Sequence, residues 1–389
     1  MTDEGKNELA EELVGAIRRD GPMTFAAFME QALYHPRHGF YTRGGGPWGP
    51  DRDFVTSVDT GPVFAGLLVR LFRACWESVG SPSSYRLVDA GGGDGRFLDH
   101  VRTALAADGP ASFGEALEPL LADRCAAGLE DDRLPRRIAF PPEAGDSLGP
   151  CCIFANELVD ALPVHLVRTN RGRLEEALVH EQSGRLTLGW REPTTPALEA
   201  HFRRLGMLPA EGQQAAVGLE AEQWIRAAAG AMASGHLVII DYGYPAPVLL
   251  SPETAADPVR TYRGGREGRG LLDEPGLQDI TASVDFSSLA HWAAKAGFTL
   301  RGFTDQFRLL QRLAEEVSAD PEDWARLVEG GPTPGPATRL RRSMALRSLL
   351  TPEGIGGSFR VMVLSRGSVG PLPLFRGLRI PSGFEARIE

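Results

Sequence analysis

Between Asp89 and Phe97 the chain reads Asp-Ala-Gly-Gly-Gly-Asp-Gly-Arg-Phe, after a short apolar run, Arg86–Ala90, and before a helical pattern starting near Arg96. Glycines at a strand-to-helix turn meet two needs: a backbone with positive φ, and close approach of a ligand. A dinucleotide site spaces them G-x-G-x-x-G and seats a pyrophosphate on the helix N-terminus. Here Gly91, Gly93 and Gly95 give G-x-G-x-G, with Asp89 just ahead. That version suits a ligand without phosphate, carrying a carboxylate and a sulfonium at the turn and a ribose beyond. The next acidic residue expected after a strand is Glu118. A carboxylate at the end of the second strand can accept both ribose hydroxyl protons. A surface glutamate at a helix start is the plainer alternative.

Asn156, Glu157 and Asp160 stand in Asn-Glu-Leu-Val-Asp-Ala-Leu-Pro-Val, directly after the apolar run Cys151–Ala155. Polar groups at the carboxyl end of a central strand face the ligand crevice of an open α/β sheet. Glu157 and Asp160 share a face if a helical turn begins there. As plain structure, Asn156 or Asp160 would cap that turn. As chemistry, two carboxylates aimed at a crevice bind the planar fork of a guanidinium. Other clusters promise less. His35 and His38 flank a proline in a loop, and no metal site is expected there. Cys75, Cys125, Cys151 and Cys152 form no C-x-x-C pair, which argues against zinc and against a disulfide framework.

The elements that must position these residues follow from periodicity. Apolar residues recur at helical spacing over 8–19, 24–33 (with Thr24 as N-cap) and 63–79. Strands are expected at 86–90, around 114–118, at 137–140, 151–155 and 236–241, around 298–302, and at 358–365, with a helix at 286–296. Alternating strands and helices imply an α/β chain with a mostly parallel sheet. The expected organisation is a helical element over 1–80, a first core half over 81–169, an inserted α+β segment with a polar hairpin over 170–235, and a second core half over 236–389. Residues 320–355 form a variable, charged segment within that last part. A hydrophobic fraction of 42% supports a genuine core. With 41 basic and 51 acidic residues the net charge is −10, without the electrostatic footprint of a nucleic-acid binder. Arg339, Arg341 and Arg342 read as a solvated helix face. The charge permits a cationic cofactor or a basic substrate. The charged N-terminus has no apolar targeting core and no run approaches a membrane span, so a soluble, cytoplasmic protein is expected.

Taken in order, several stretches resemble the MidA family, whose members include mitochondrial complex I assembly methyltransferases. They are Phe25–Tyr41, Asp53-Phe54-x-Thr56-Ser57, the glycine loop, Asn156–Val164, Ile240–Tyr244, Pro275–Phe286 and Gly357–Ser365. The resemblance implies a class I, Rossmann-like methyltransferase fold with the N-terminal element over the cofactor, S-adenosylmethionine. It also implies protein arginine methylation. By motif match, Gly91, Gly93, Gly95 and Glu118 carry over as cofactor residues. Asn156, Glu157 and Asp160 carry over to the acceptor side, together with Asp53, Thr56 and Ser57; Thr56 and Ser57 are placed with the cofactor. Asp241 and Tyr242 are expected near the same mouth, with a structural role for Tyr242 equally open. There are departures. The family loop reads closer to E-x-G-P-G-x-G, so Asp89 replaces a glutamate and Gly92 a proline. Val58-Asp59 stands where Pro-Glu is favoured, and Thr261–Gly270 lacks a histidine after its tyrosine.

Methyl transfer is an in-line displacement that needs a lone pair about 3 Å from the sulfonium methyl, and neither a metal nor a covalent intermediate. With arginine as acceptor, Glu157 or Asp160 must orient the guanidinium and help it lose a proton. Two other readings stay open: methylation of a small molecule or a biosynthetic peptide, and a non-catalytic assembly protein that keeps the fold. A homodimer is among the states the sequence allows.

Overall fold

The apolar run around Val88 becomes strand β1, Tyr85–Ala90, in the computed structural model, which describes residues 7–43, 57–108, 111–125, 136–138, 147–253, 257–264, 266–268, 270–318 and 336–375. The chain divides into two compact units. One is built from Met1–Phe54, Val159–Gln223 and Gly243–Ser288, the other from Val55–Leu158, Trp224–Tyr242 and Leu289–Glu389.

The second of these carries the main sheet. After β1 come β2 (Leu117–Ala122), β3 (Arg136–Arg137), β4 (Pro150–Asn156), β5 (Ser234–Tyr244, of which 234–242 lie in this unit), β6 (Thr299–Asp305) and β7 (Phe359–Arg366). Their order is β6-β7-β5-β4-β1-β2-β3. Neighbours from β3 through to β5 run parallel, and β7 runs antiparallel to both β5 and β6. The register sets Ile153 between Val88 and Leu237. Every residue of Cys151–Ala155 is buried, because a strand covered on both faces needs a continuous apolar run rather than alternation. Helix Pro62–Ser78 opens with proline at its start and buries Val63, Phe64, Leu67, Leu68, Leu71 and Phe72. Phe72, Phe97 and Phe154 meet pairwise, with ring centroids 4.7 Å apart for Phe97 and Phe154 and 5.4 Å for Phe72 and Phe154. They tie that helix to β4 and to helix Arg96–Asp108.

Most expected elements lie within two residues of their predicted place, but the second strand does not. Gly114 sits in a short helix, Ala111–Ala116, and the strand follows it. Pro119, of a type that usually ends strands, lies inside this one opposite Leu87.

The first unit has a five-stranded antiparallel sheet. Met23–Thr24, Arg173–Gln182, His165–Asn170 and Gln214–Val217 run in that order, and Arg185–Arg191 pairs with Arg173–Gln182. The expected hairpin is the Arg173–Gln182/Arg185–Arg191 pair. Its two-residue turn, Ser183-Gly184, has positive φ at both positions, the hand that matches strand twist. Helices Glu8–Asp20 and Phe25–Tyr34 bury Leu9, Leu13, Phe25, Phe28 and Leu33 with Leu166 and Val179. Thr24 caps the second helix as expected, its hydroxyl accepting from the Ala27 N–H at 3.1 Å. A separate three-stranded sheet holds Arg266–Glu267, Val259–Arg263 and Asp279–Ala282. Two expected boundaries therefore shift. The 1–80 stretch is divided between the units near Phe54, and the segment outside the main-sheet unit begins at Val159 rather than at 170. Among the described residues no helix is long and apolar enough to cross a membrane.

Candidate cofactor and acceptor site

In an open parallel sheet the ligand crevice lies beyond the carboxyl ends of the strands, where the strand order reverses. Here that point is between β1 and β4. The glycine loop leaves β1 there. Gly91, Gly93 and Gly95 have φ of 75°, 56° and 77°, a region that side chains enter only at a cost. A β-carbon on Gly91 would also come within 2.8 Å of Leu158. One on Gly92 would collide with the Asp89 carboxylate, so the departures at 89 and 92 fit each other.

Asp89 is the penultimate residue of β1 and is buried, with Oδ2 lacking any hydrogen-bond partner among the described residues. Burial pushes its carboxyl up to about 8, and the charges of Asp123 and Asp94 add to the rise. Asp94 is itself paired with Arg96 through two 3.0 Å contacts from Nε.

Glu118 is not at the mouth. It is the second residue of β2, at the opposite end from the glycine loop, where Ser84 donates to it at 2.6 Å and Arg86 lies 3.3 Å away. The carboxylate that follows β2 is Asp123, absent from the sequence-based candidates. Its Oδ2 accepts the Gly93 N–H at 2.9 Å, and its Oδ1 accepts the Cys125 N–H at 2.7 Å. A signal for it existed: Asp123 directly follows the apolar Leu120–Ala122.

At the end of β4, Glu157 takes a left-handed backbone, φ 54°, and its N–H donates to the Ile240 carbonyl at 2.9 Å. Asn156 donates from its side-chain amide to Glu157 Oε1 at 3.1 Å, while Asn156 Oδ1 is buried without a hydrogen-bond partner among the described residues. The left-handed residue prevents a helical turn, and 157–162 run through bends and turns. The expected helical face shared by Glu157 and Asp160 is therefore corrected, and the boundary between the two units falls between these residues. Asp160 is buried in the first unit, where its main-chain carbonyl accepts the Ala282 N–H at 2.8 Å. Nearby, Tyr41 donates to Asp279 at 2.9 Å. Burial first, then the charges of Asp279, Tyr34 and Asp160, push the Tyr41 hydroxyl well above its ordinary value.

On β5, Ile240 pairs with Asn156, which brings Asp241 and Tyr242 to the same edge of the sheet as Glu157. Asp241 is fully buried and its Oδ1 accepts the Tyr242 N–H at 2.8 Å. Tyr242 is partly exposed and packs on Phe359, centroids 4.2 Å apart. Ser57, expected beside the cofactor, is buried and shares its hydroxyl with the Gln306 side-chain amide at 3.0 Å. Asp53 and Thr56 lie outside the described residues. His35 and His38 stack on each other, 5.3 Å between centroids, and turn toward Glu12 and Glu8.

Residues 67–304 match the model of a family of S-adenosyl-L-methionine-dependent methyltransferases. The chain belongs to this family. Among proteins similar to this methyltransferase is the mitochondrial protein arginine methyltransferase NDUFAF7 homologue of Drosophila melanogaster. It is 28% identical over 360 residues, covering 81% of this chain and 77% of the relative. Its counterpart in Danio rerio is 25% identical over 352 residues, covering 81% and 80%. A Burkholderia thailandensis protein, solved bound to S-adenosyl-homocysteine, superposes with a TM-score of 0.77 at 26% identity, covering 95% of this chain and 94% of that one. The MidA resemblance, the Rossmann-like fold and S-adenosylmethionine as cofactor stand on these findings together. The cytoplasmic expectation does not: the relatives are named as mitochondrial proteins, and it is withdrawn.

Proposed function

We propose that this methyltransferase binds S-adenosylmethionine on the Gly91–Gly95 loop and transfers its methyl group to an arginine side chain of a protein. The observation that carries the acceptor is the relatives' name as protein arginine methyltransferases, joined to a carboxylate held at the mouth of the crevice. The residues present suit the cofactor. A loop with three positive-φ glycines lets a ligand approach the backbone, and Asp123 stands at the loop to accept the ribose hydroxyls. When bound, the cofactor supplies an electrophilic methyl on a sulfonium.

The protein's part is orientation and proton handling. Glu157, steered by the Asn156 amide, pairs with the guanidinium fork and aligns one nitrogen. Arginine keeps its proton at neutral pH, so the same carboxylate draws it away as the nitrogen becomes a nucleophile. Asp241 is a further carboxylate on this edge, one residue past the partner of Asn156, and we assign it to the acceptor side with Tyr242. Asp160 is not assigned a step.

The test is methyl transfer from isotope-labelled S-adenosylmethionine to arginine-containing and arginine-free peptides, read by mass spectrometry. Mass gain on arginine alone, abolished in Glu157→Gln while cofactor affinity stays within a few-fold, is the expected result. Transfer to another residue type, or unchanged transfer in the variant, contradicts it.

A further inference from the structure

Along the carboxyl edge of the main sheet the strand register lines up a row of charged residues. Asp241 on β5 stands directly opposite Arg360 on β7, and Arg360 stands directly opposite Asp305 on β6. On the other side of Asp241 comes Glu157, one residue past the Asn156 that pairs with Ile240, with its N–H tied to the Ile240 carbonyl. Residues directly opposite across antiparallel strands project to the same face, with β-carbons about 4.5–5.5 Å apart. For Asp241 and Arg360 this is the face away from helix Pro62–Ser78, because the flanking Ile240 and Val361 belong to the core packed on that helix. The two side chains therefore stand next to each other, and Arg360 is the cation in a row that is otherwise carboxylates. It is firmly held. Its Nη1 donates to the carbonyls of Gly357 and Phe359, both at 3.0 Å, and lies 3.1 Å from Asp305 Oδ1. Its side chain is only 13% exposed, and Asp241 is fully buried.

A buried carboxylate keeps its charge only against a cation or a full set of donors. Beyond the Tyr242 N–H, the charge that the sheet sets beside Asp241 is the Arg360 guanidinium. Glu157 follows the neighbouring strand, and two anions so placed would otherwise suppress each other's ionisation. We infer that Arg360 is a positioning residue for methyl transfer, keeping Asp241 charged and oriented so that Glu157 and Asp241 serve the acceptor as a pair of carboxylates. This rests on the assignment of Asp241 to the acceptor side. Asp305 is the anchor at the far end of the row, bound to Arg360 on one oxygen and to Arg308 Nε, 3.0 Å away, on the other. Because Arg360 is fixed there by Asp305 and by two carbonyls, it supports Asp241 from the side away from Glu157. Acting through Asp241, it governs turnover rather than the binding of the cofactor on the glycine loop.

The experiment measures kcat and KM for methyl transfer from S-adenosylmethionine to an arginine-containing peptide, with circular dichroism to verify folding. It compares the wild type with Arg360→Met, Arg360→Lys, Asp241→Asn and the double variant Asp241→Asn/Arg360→Met. Arg360→Met is expected to lower kcat about tenfold or more, with the KM for S-adenosylmethionine within about twofold of wild type. Arg360→Lys keeps the charge and should restore kcat to within about threefold of wild type. The double variant should be no slower than Asp241→Asn alone, since a residue that acts through Asp241 then has nothing left to position. A merely structural Arg360 gives another pattern: losses that multiply in the double variant and no rescue by lysine. If Arg360→Met does not fold, Asp241→Asn and the double variant still decide, because neither leaves Asp241 as a buried charge; equal kcat supports the inference and a further fall overturns it. Unchanged kcat in a folded Arg360→Met, or multiplied losses, overturns the inference and leaves Glu157 and Asp241 on the acceptor side. A wild-type rate in Asp241→Asn overturns the assignment of Asp241 and the inference together, and absence of any transfer to arginine overturns the proposed function with them.

Discussion

Asp123 and Glu118 are both acidic residues of one short stretch, and the end of the strand on which each sits separates their roles. Asp123 holds the Gly93 N–H beside the loop, whereas Glu118 pairs with Arg86 at the far end of β2. Asp123→Ala is therefore expected to weaken S-adenosylmethionine binding tenfold or more, and Glu118→Ala to leave it within twofold, in parallel fluorescence or calorimetric titrations; the reverse order would return the ribose to Glu118. These losses correspond to about 1.4 kcal/mol per factor of ten. Asp89 carries a stability consequence of its own. Its folded-state value is raised, so its contribution is fully present below its unfolded value of about 4 and is lost as pH rises toward about 8. Asp89→Asn should accordingly melt higher than wild type at pH 8.5 without bound cofactor, with a smaller gain at pH 5. An equal or lower Tm at pH 8.5 would mean that the carboxylate is already compensated inside the fold.

At the scale of elements, what could be read ahead of the structure depended on how local the cause was. The Cys151–Ala155 run and the four residues 237–240 of the next central strand are apolar throughout because both faces of the sheet are covered, and that pattern is visible in the residues themselves. The glycine loop was equally legible, since no other residue type takes three positive φ angles so readily. The second strand lies later than its local pattern implies because Gly114 and Pro119 are poor local guides: the one lies in a helix and the other in the strand. Glu157 was harder still. Its left-handed backbone goes with a hydrogen bond to Ile240, on a strand more than eighty residues away in sequence, which no local pattern encodes. The other unit has its own buried carboxylate, Glu176, which joins His165 at 2.6 Å and the Thr194 N–H and hydroxyl at 2.6 and 2.8 Å. Burial alone would raise its pKa, but these bonds outweigh it and hold the carboxyl below its ordinary value. The stability from this group is present above its unfolded value and fades as pH falls through the folded one. Glu176→Gln should cost about 1–3 kcal/mol near pH 7 in denaturant unfolding, a gap that narrows in acid. A gap constant down to pH 3 would show that shape rather than charge holds the junction.

Across the whole molecule, the net charge of −10 gives an acidic surface and a long-range attraction for cationic partners. An arginine-rich acceptor peptide should bind several-fold more weakly when ionic strength rises from about 0.05 to 0.3 M, because screening shortens the reach of that field. A neutral acceptor would show no such slope. The interleaving of three segments in each compact unit also explains why a linear division of the sequence at 80, 170 and 235 could only approximate the architecture.

The central claim, that the glycine loop after β1 is the S-adenosylmethionine site, is tested most directly by calorimetric titration of wild type and Gly93→Val, with circular dichroism to verify the fold. A side chain at Gly93 must take φ 56° beside Asp123, so the account predicts micromolar binding by the wild type and loss of binding by a folded variant. Undiminished binding in that variant would place the cofactor elsewhere and contradict the account.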